Sequence, residues 1–232
     1  MIKRSIIMPG VLISLTLWGL LSLGFWQLER ADEKRAIERD IVLAQSNPAK
    51  LVTKFESLLE KEHYQVLLEG YYDNDKQFIY DNQIINSNAG YYVLTPFVLN
   101  TEAAILVNRG FVPWHGKRTE LADIKINNQP TTIKVSLIKP KQRIELKQQK
   151  ISTAFPILIQ SLDIEYLSQL SNYQIIPMLA QLDVNSNNGF FRQWKPFYGS
   201  VDKHLGYALQ WFLMALVLSV IAIRLLIKNR RN

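Results

Sequence analysis

The chain has 232 residues, 48% of them hydrophobic, which is enough for a folded core and too much for a disordered protein. Its formal net charge of +7 would suit nucleic acid, but much of the basic charge flanks two long apolar runs. Lipid headgroups are the better partner there, so we expect a bilayer partner and no nucleic acid. The absence of cysteine excludes disulfide bonds and thiolate metal sites.

Two uncharged apolar runs predict transmembrane helices. Residues 6–25 form a run of 20 uncharged residues, and residues 205–223 form a run of 19. Each covers about 30 Å at the rise of an α-helix, which is the hydrocarbon thickness of a bilayer. The first run also resembles a secretory signal, with Ser22–Gly24 as the candidate cleavage site. Its length exceeds that of a usual signal core, so we expect an uncleaved anchor.

Basic residues at both ends of the chain predict its orientation. Lys3 and Arg4 precede the first run, and Arg224, Lys228 and two further arginines follow the second. Short basic ends stay in the cytoplasm, whereas long domains cross a membrane largely regardless of charge. We therefore predict a bacterial inner-membrane protein with cytoplasmic termini at 1–5 and 228–232, membrane spans at 6–26 and 204–227, and a periplasmic domain at 27–203.

The segment between the spans begins with a charged helix and a connector. Residues 29–45 place opposite charges at helical spacing, so the first helix is expected to continue beyond the membrane. Asn47–Pro48 opens a connector with a candidate short helix at 50–59.

The rest of this segment predicts an antiparallel β-rich domain, either a barrel or a sandwich, in an α+β fold flanked by the two transmembrane helices. Asp73–Asn74 and Asn100–Thr101 have the turn chemistry of hairpins, and Asp163 can cap a helix at 163–170. The strands are expected at 64–72, 76–82, 91–98, 103–112, 132–139 and 174–179, where short runs are rich in Val, Ile, Tyr and Phe.

Signals for catalysis or ion binding are sparse. The sequence has no G-x-S-x-G motif and only three histidines, so we predict no catalytic residues and not an enzyme. Residues 183–191 resemble the start of a calcium loop, but Asn188 and Trp194 occupy the positions of its glycine and glutamate, which favours a turn. The basic stretch at 139–150 lacks interleaved aromatic residues and predicts a solvated loop.

The tripeptide Asn108-Arg109-Gly110 interrupts an apolar strand. A glycine inside a strand marks a bulge or a close backbone approach. Arg109 either points at a carboxylate or propionate or forms a salt bridge inside the domain beside a structural bulge, and the internal role is the more common architecture.

His204 opens the second apolar run. On a helix it shares a face with Trp211 and with the small residues Ala208, Ala215, Ser219 and Ala222. The first run carries its own series, Gly10, Ser14, Trp18 and Ser22. Small residues let helices approach in a membrane, so we predict a seam between the two spans with His204 at its outer end.

Two roles remain open for His204. It can anchor the helix in the headgroup region beside Tyr207 and Trp211, or it can ligate a metal or haem. Gln210 lies inside the apolar run, where an unpaired amide is costly. It is therefore expected to face protein or cofactor rather than lipid.

Four separated blocks resemble the surfeit-locus (Shy-type) assembly factors of cytochrome c oxidase. They are GFWQLERADEK at 24–34, GYYVLTPF at 90–97, ILVNRGFVP at 105–113 and KHLGYALQWF at 203–212. The matching positions include Gly24, Trp26, Gln27, Arg30, Asn108, Arg109 and Gly110. Together with the two anchors, the blocks identify the chain as similar to this family.

The resemblance implies a non-catalytic helper that promotes maturation of the catalytic subunit of a haem-copper oxidase. Some members are thought to bind haem a, and His204 matches the histidine proposed as the ligand of the haem iron. Tyr207, Gln210 and Trp211 would then line the haem site, and Arg30 or Arg109 would pair with propionates. The catalytic subunit is the implied partner, and haem a synthase is a further candidate.

Two alternatives remain open. The chain could be a structural membrane chaperone that holds an oxidase subunit without binding haem. It could also be a membrane-anchored exported enzyme that uses His63 or His115.

Overall fold

The computed structural model describes residues 4–99, 103–116, 121–140, 154–194 and 200–231. The chain forms two compact units, a helical unit of residues 1–42 and 197–232 and a β-rich unit of residues 43–196. Its α-helices are α1 (Arg4–Ser46), α2 (Ile164–Ser171) and α3 (Val201–Arg231).

Two of these helices are long and apolar enough to cross a membrane, over Met8–Ser46 and Val201–Lys228. The predicted spans at 6–26 and 204–227 fall within α1 and α3, and two such helices indicate membrane anchoring. The expectation that the first helix continues past its apolar run is confirmed, since α1 is unbroken for 43 residues. Residues 27–42, which we assigned to the exported domain, group with the helical unit.

All six predicted strands are present, and two very short strands accompany them. Two 3-10 helices, Phe55–Glu60 and Asn74–Lys76, lie in the connections. The strands are β1 (Lys50–Leu51), β2 (Gln65–Tyr72), β3 (Phe78–Ile85), β4 (Asn88–Val98), β5 (Ala103–Pro113), β6 (Thr131–Ile138), β7 (Ile157–Ile159) and β8 (Gln174–Leu182). The expected short helix at 50–59 is confirmed in part, since a 3-10 helix forms over Phe55–Glu60, whereas Lys50–Leu51 belong to β1.

The sheet closes into a five-stranded barrel. Its strand order is β1-β2-β6-β8-β5-β4-β3-β7, and β2 also pairs with β4, which joins β2, β6, β8, β5 and β4 in a ring. Of our two alternatives, the barrel is therefore correct. The expectation of purely antiparallel pairing is wrong, because β5 and β8 are parallel, as are β1 with β2 and β3 with β7. Parallel partners need a long crossover, and the chain between β5 and β8 supplies one.

The predicted turns have mixed outcomes. Asp73 does not begin a hairpin; its carboxylate accepts from the Asp75 amide at 2.9 Å and caps the second 3-10 helix. β2 consequently pairs with β4 and β6 rather than with β3. β4 and β5 do pair as a hairpin, and the turn at Asn100–Thr101 lies outside the described residues. The hairpin between β3 and β4 turns through Asn86 and Ser87, both with positive φ, as a type I′ turn requires.

The main hydrophobic core fills the barrel. Its fully buried members include Leu68, Ile105, Val135 and Leu182. A second cluster packs α2 against the sheet through Leu167. The predicted cap of α2 is confirmed, since the Asp163 carboxylate accepts from the Tyr166 amide at 3.1 Å.

Candidate functional site

α1 and α3 pack against each other around Gly24 and Phe212. A Cβ placed on Gly24 would lie 2.5 Å from Phe212 Cε1, so only glycine lets this ring approach α1. The rings of Phe25 and Phe212 meet edge to face, with centroids 5.3 Å apart. These contacts fix the helix pair one turn before Gln27.

The predicted seam is correct for α3 and wrong for α1. Ala208 and Ala215 are buried, as expected for the small face of α3. The series predicted on α1, Gly10, Ser14, Trp18 and Ser22, is exposed instead. The least exposed face of α1 carries Ile13, Leu17, Leu20, Gly24, Gln27, Leu28 and Ala31. The contact between Gly24 and Phe212 selects this face, which is mainly built of larger apolar side chains than the predicted one.

His204 and Gln27 form a polar contact across this helix pair. His204 lies in the first turn of α3 and is partly buried, and its Nδ1 is 2.7 Å from Gln27 Oε1. An amide oxygen can only accept, so this contact is a hydrogen bond in the tautomer that carries its proton on Nδ1. In the neutral ring, Nε2 then holds a lone pair, and within the described residues only Nδ1 has a partner. Metal-ligating histidines are oriented in this way.

One imidazole nitrogen is sufficient for a metal that already has most of its ligands. Among the described residues, no group of three or more His, Asp or Glu side chains could hold a free ion. A haem iron takes its equatorial ligands from the porphyrin and needs only axial ligands from a protein. His204 therefore fits haem as a single axial ligand.

The other side chains predicted near His204 differ in their placement. Trp211 is partly buried on the same helix face, whereas Tyr207 is 50% exposed. Gln210 is exposed on α3. Its amide has no side-chain partner within the part of the chain that the structure describes, and the predicted contact with a cofactor or another protein stays a prediction.

Arg30 lies one turn beyond Gln27 on α1. Its guanidinium is 2.6 Å from Glu33 Oε2 and 5.7 Å from the ring of Trp26. Both members of the ion pair are about half exposed, so the pair is weak and exchanges with solvent. Arg30 is thus close in sequence to Gln27 and accessible to an acidic group.

The tripeptide Asn108-Arg109-Gly110 forms the predicted bulge. Arg109 and Gly110 together lie opposite Val93, between the paired residues of β4 and β5. Gly110 has φ of +123°, and a Cβ there would lie 2.8 Å from the Phe191 carbonyl oxygen. Both expected reasons for the glycine, a bulge and a close backbone approach, are therefore confirmed.

Arg109 is buried in the β-rich unit and makes its hydrogen bonds there. It is 3% exposed, and its Nη1 donates to Gln77 Oε1 at 3.0 Å and to the Ile124 carbonyl at 2.7 Å. Its Nε donates to the Asn188 carbonyl at 2.9 Å. The internal placement is confirmed, but within the described residues these acceptors are neutral oxygens and not the carboxylate of the expected salt bridge. This placement contradicts the predicted propionate contact of Arg109.

Burial sets the electrostatics around Arg109. It lowers the pKa of Arg109 to about 10, because desolvation disfavours the charged form, and the nearby Tyr72 hydroxyl partly offsets this. Burial raises the pKa of Tyr72 to about 12, and the charges of Arg109 and Arg192 act in the opposite direction. Both groups therefore keep their protons at neutral pH.

The segment at 183–191 is a turn, as predicted. The Asp183 carboxylate accepts from the Asn185 amide at 3.0 Å and pairs with Lys134 at 3.3 Å. The backbone of Phe190 and Phe191 bonds to the bulge, at 2.7 Å from Phe190 N to Arg109 O and 2.8 Å from Phe111 N to Phe191 O. The segment that follows this turn therefore satisfies backbone hydrogen-bonding groups at the bulge.

The remaining histidines lie in the β-rich unit. His63 Nε2 is 3.8 Å from Glu62 Oε1, and His115 is exposed just after β5. The basic stretch at 139–150 lies outside the described residues beyond residue 140. Sequence reasoning missed the contact of Gln27, although Gln27 is an amide at the end of an apolar run, the same signal that drew attention to Gln210.

Comparison with known proteins shows the family of this chain. A family model described as the SURF1 family matches residues 15–216, which cover the β-rich unit and part of each of α1 and α3. A SURF1-like protein of Rickettsia felis is 28% identical over 229 residues, covering 91% of this chain and 92% of the relative. SURF1-like proteins of Rickettsia conorii and Rickettsia bellii are 27% and 28% identical, covering 90% and 87% of this chain and 88% and 84% of the relatives.

Proposed function

We propose that this chain, which belongs to the SURF1 family, promotes maturation of the catalytic subunit of a haem-copper oxidase by holding haem a at His204. The family is linked to cytochrome oxidase assembly, and its members are not known as enzymes. The observation that carries the haem role is the bond from His204 Nδ1 to Gln27 Oε1, because it leaves Nε2 as a ligand.

The residues around His204 support a carrier rather than a permanent cytochrome. Haem would supply an iron with an open axial position, which one imidazole nitrogen can fill. A single protein ligand would hold haem loosely enough for release to a receiving protein. Trp211 offers an aromatic surface on the same face, and Arg30 offers a guanidinium suited to a propionate.

The proposal also includes the placement in a bacterial inner membrane. Short basic ends favour cytoplasmic termini, and the β-rich unit is then periplasmic, on the side where His204 begins α3. Haem a synthase and the oxidase catalytic subunit would be partners in the same bilayer.

Single cysteines test this topology cleanly, because the natural chain has none. Gln129→Cys lies on the exposed surface of the β-rich unit, and Lys228→Cys lies near the end of α3. A membrane-impermeant maleimide added outside the inner membrane should label the first and spare the second. Labelling of Lys228→Cys alone would overturn the orientation.

The haem role is tested by purifying the full chain from cells that make haem a. The wild-type protein should carry haem a, and His204→Ala should lose most of it. His115→Ala is the matched control, since it removes an exposed histidine in the other unit. Equal haem content in His204→Ala and wild type would refute the ligand. An oxidase subunit that co-purifies with haem-free wild-type protein would favour the structural chaperone instead.

A further inference from the structure

We infer that Gln27 is a positioning residue that locks His204 in the tautomer protonated at Nδ1, so that Nε2 is presented to the iron of a haem. This inference rests on the proposed function for the identity of the ligand. The tautomer itself can be measured without haem.

One hydrogen bond, between Gln27 and His204, selects the tautomer. Gln27 Oε1 and His204 Nδ1 are 2.7 Å apart, which is the distance of a strong hydrogen bond. A neutral imidazole can carry its proton on either nitrogen, and a proton on Nε2 would block that nitrogen as a ligand. An acceptor facing Nδ1 removes this competing state and also fixes the orientation of the ring.

The bond forms only when the two helices are paired. It joins residues that are 177 positions apart in sequence, and the contact of Gly24 with Phe212 holds the helices at this level. Presentation of the ligand therefore depends on the packing of α1 against α3. A disturbance of that packing should release the ring and weaken the site.

An amide is a milder partner than the carboxylate that supports many metal-binding histidines. A carboxylate that accepts a hydrogen bond from Nδ1 raises the basicity of the ligand nitrogen Nε2. A neutral amide oxygen accepts the same hydrogen bond without adding negative charge. Gln27 thus combines a fixed ring with modest affinity, which suits a protein that must release its haem. Gln27→Glu should keep the tautomer and strengthen binding.

The first readout is the tautomer of His204 in haem-free protein. Nitrogen-15 NMR of the histidine rings distinguishes protonation at Nδ1 from protonation at Nε2, and the His204 signals are those lost in His204→Ala. Wild type and Gln27→Glu should show protonation at Nδ1, and Gln27→Leu should shift toward Nε2. The same tautomer in wild type and Gln27→Leu would overturn the inference.

The second readout is the affinity for added haem, measured by absorbance titration of the full chain in detergent. Loss of a positioning partner costs about 10- to 100-fold in metal affinity, so Gln27→Leu should bind haem more weakly by that factor. Gln27→Glu should bind at least as tightly as wild type. Gln169→Leu, the same change on an exposed site of α2, is the matched control.

The two readouts separate the possible failures. If wild type binds no haem, the proposed function fails and the NMR result still decides the tautomer. If wild type and Gln27→Leu bind haem equally, only the role of Gln27 fails. Recovery in Gln27→Glu excludes general damage to the helix pair as the cause of a loss.

Discussion

The bulge in β5 and the seam between α1 and α3 use a polar side chain in opposite ways. At the bulge, Arg109 is 3% exposed, and its Nη1 and Nε donate to oxygens from three separate segments. At the seam, His204 uses one ring nitrogen, and within the described residues the other nitrogen has no partner. The hydrogen bonds of Arg109 tie three segments of the β-rich unit together and are architectural, whereas Nε2 of His204 is available for chemistry.

The largest effect is expected from Gly110→Val, which probes the bulge. A side chain there combines strain at positive φ with a clash against the backbone of Phe190 and Phe191, for a loss of about 3 kcal/mol or more. Gly116→Val is the control, because it shares the positive φ but meets nothing within 4 Å. Urea unfolding of the β-rich unit, followed by tryptophan fluorescence, measures both. Equal losses of unfolding free energy in the two variants would show that the close approach of Phe190 and Phe191 to Gly110 contributes nothing.

Arg109→Met should cause the next largest loss in the free energy of unfolding. It removes the donor to the carbonyls of Ile124 and Asn188 and one of the two donors to Gln77 Oε1, which keeps the Thr95 hydroxyl, at a cost of about 2–4 kcal/mol. The same urea experiment measures this loss. Haem content per folded molecule should not change, because Arg109 is buried in the other unit. A selective loss of haem at unchanged stability would break the comparison and restore Arg109 as a ligand-binding residue.

Gly24→Leu tests the seam with a smaller effect. The new side chain displaces Phe212 and with it the level at which Gln27 meets His204, so haem affinity should fall about tenfold, or about 1.4 kcal/mol. Gly19→Leu is the control, because a Cβ there meets nothing within 4 Å. Haem titration measures the loss, and urea unfolding of the β-rich unit should not change. Equal affinities in the two variants would show that the seam does not position the ligand.

Arg30→Ala should have the smallest effect on stability. Its ion pair with Glu33 is about half exposed, and such pairs contribute about 0–1 kcal/mol. Thermal unfolding at low and high salt should therefore agree within this range. A larger loss would mean that the contact of Arg30 with Trp26 stabilises α1.

Local patterns in the sequence predicted much of the fold. Alternating apolar residues located all six longer strands, and Asp163 located the start of α2, because these signals lie within a few residues of each other. β1 and β7 are two and three residues long, too short for any periodicity to show. The parallel pairing of β5 with β8 depends on contacts between distant segments, which no local pattern encodes.

The site was only partly predictable for a related reason. Helical periodicity identified small faces on both spans, but it does not say which face of α1 meets α3, and the series beginning at Gly10 was the wrong one. The bulge followed from Gly110 itself. The acceptors of Arg109 could not be predicted, since they come from residues 77, 124 and 188.

The parallel pairing of β5 with β8 also constrains biosynthesis. The paired residues Ala103 and Gln174 are about 70 positions apart, so the ring of strands stays open until β8 has left the ribosome. Until then the strands made earlier have unpaired edges. His204 follows every strand of the ring in the sequence, so it is synthesised only after the barrel can close.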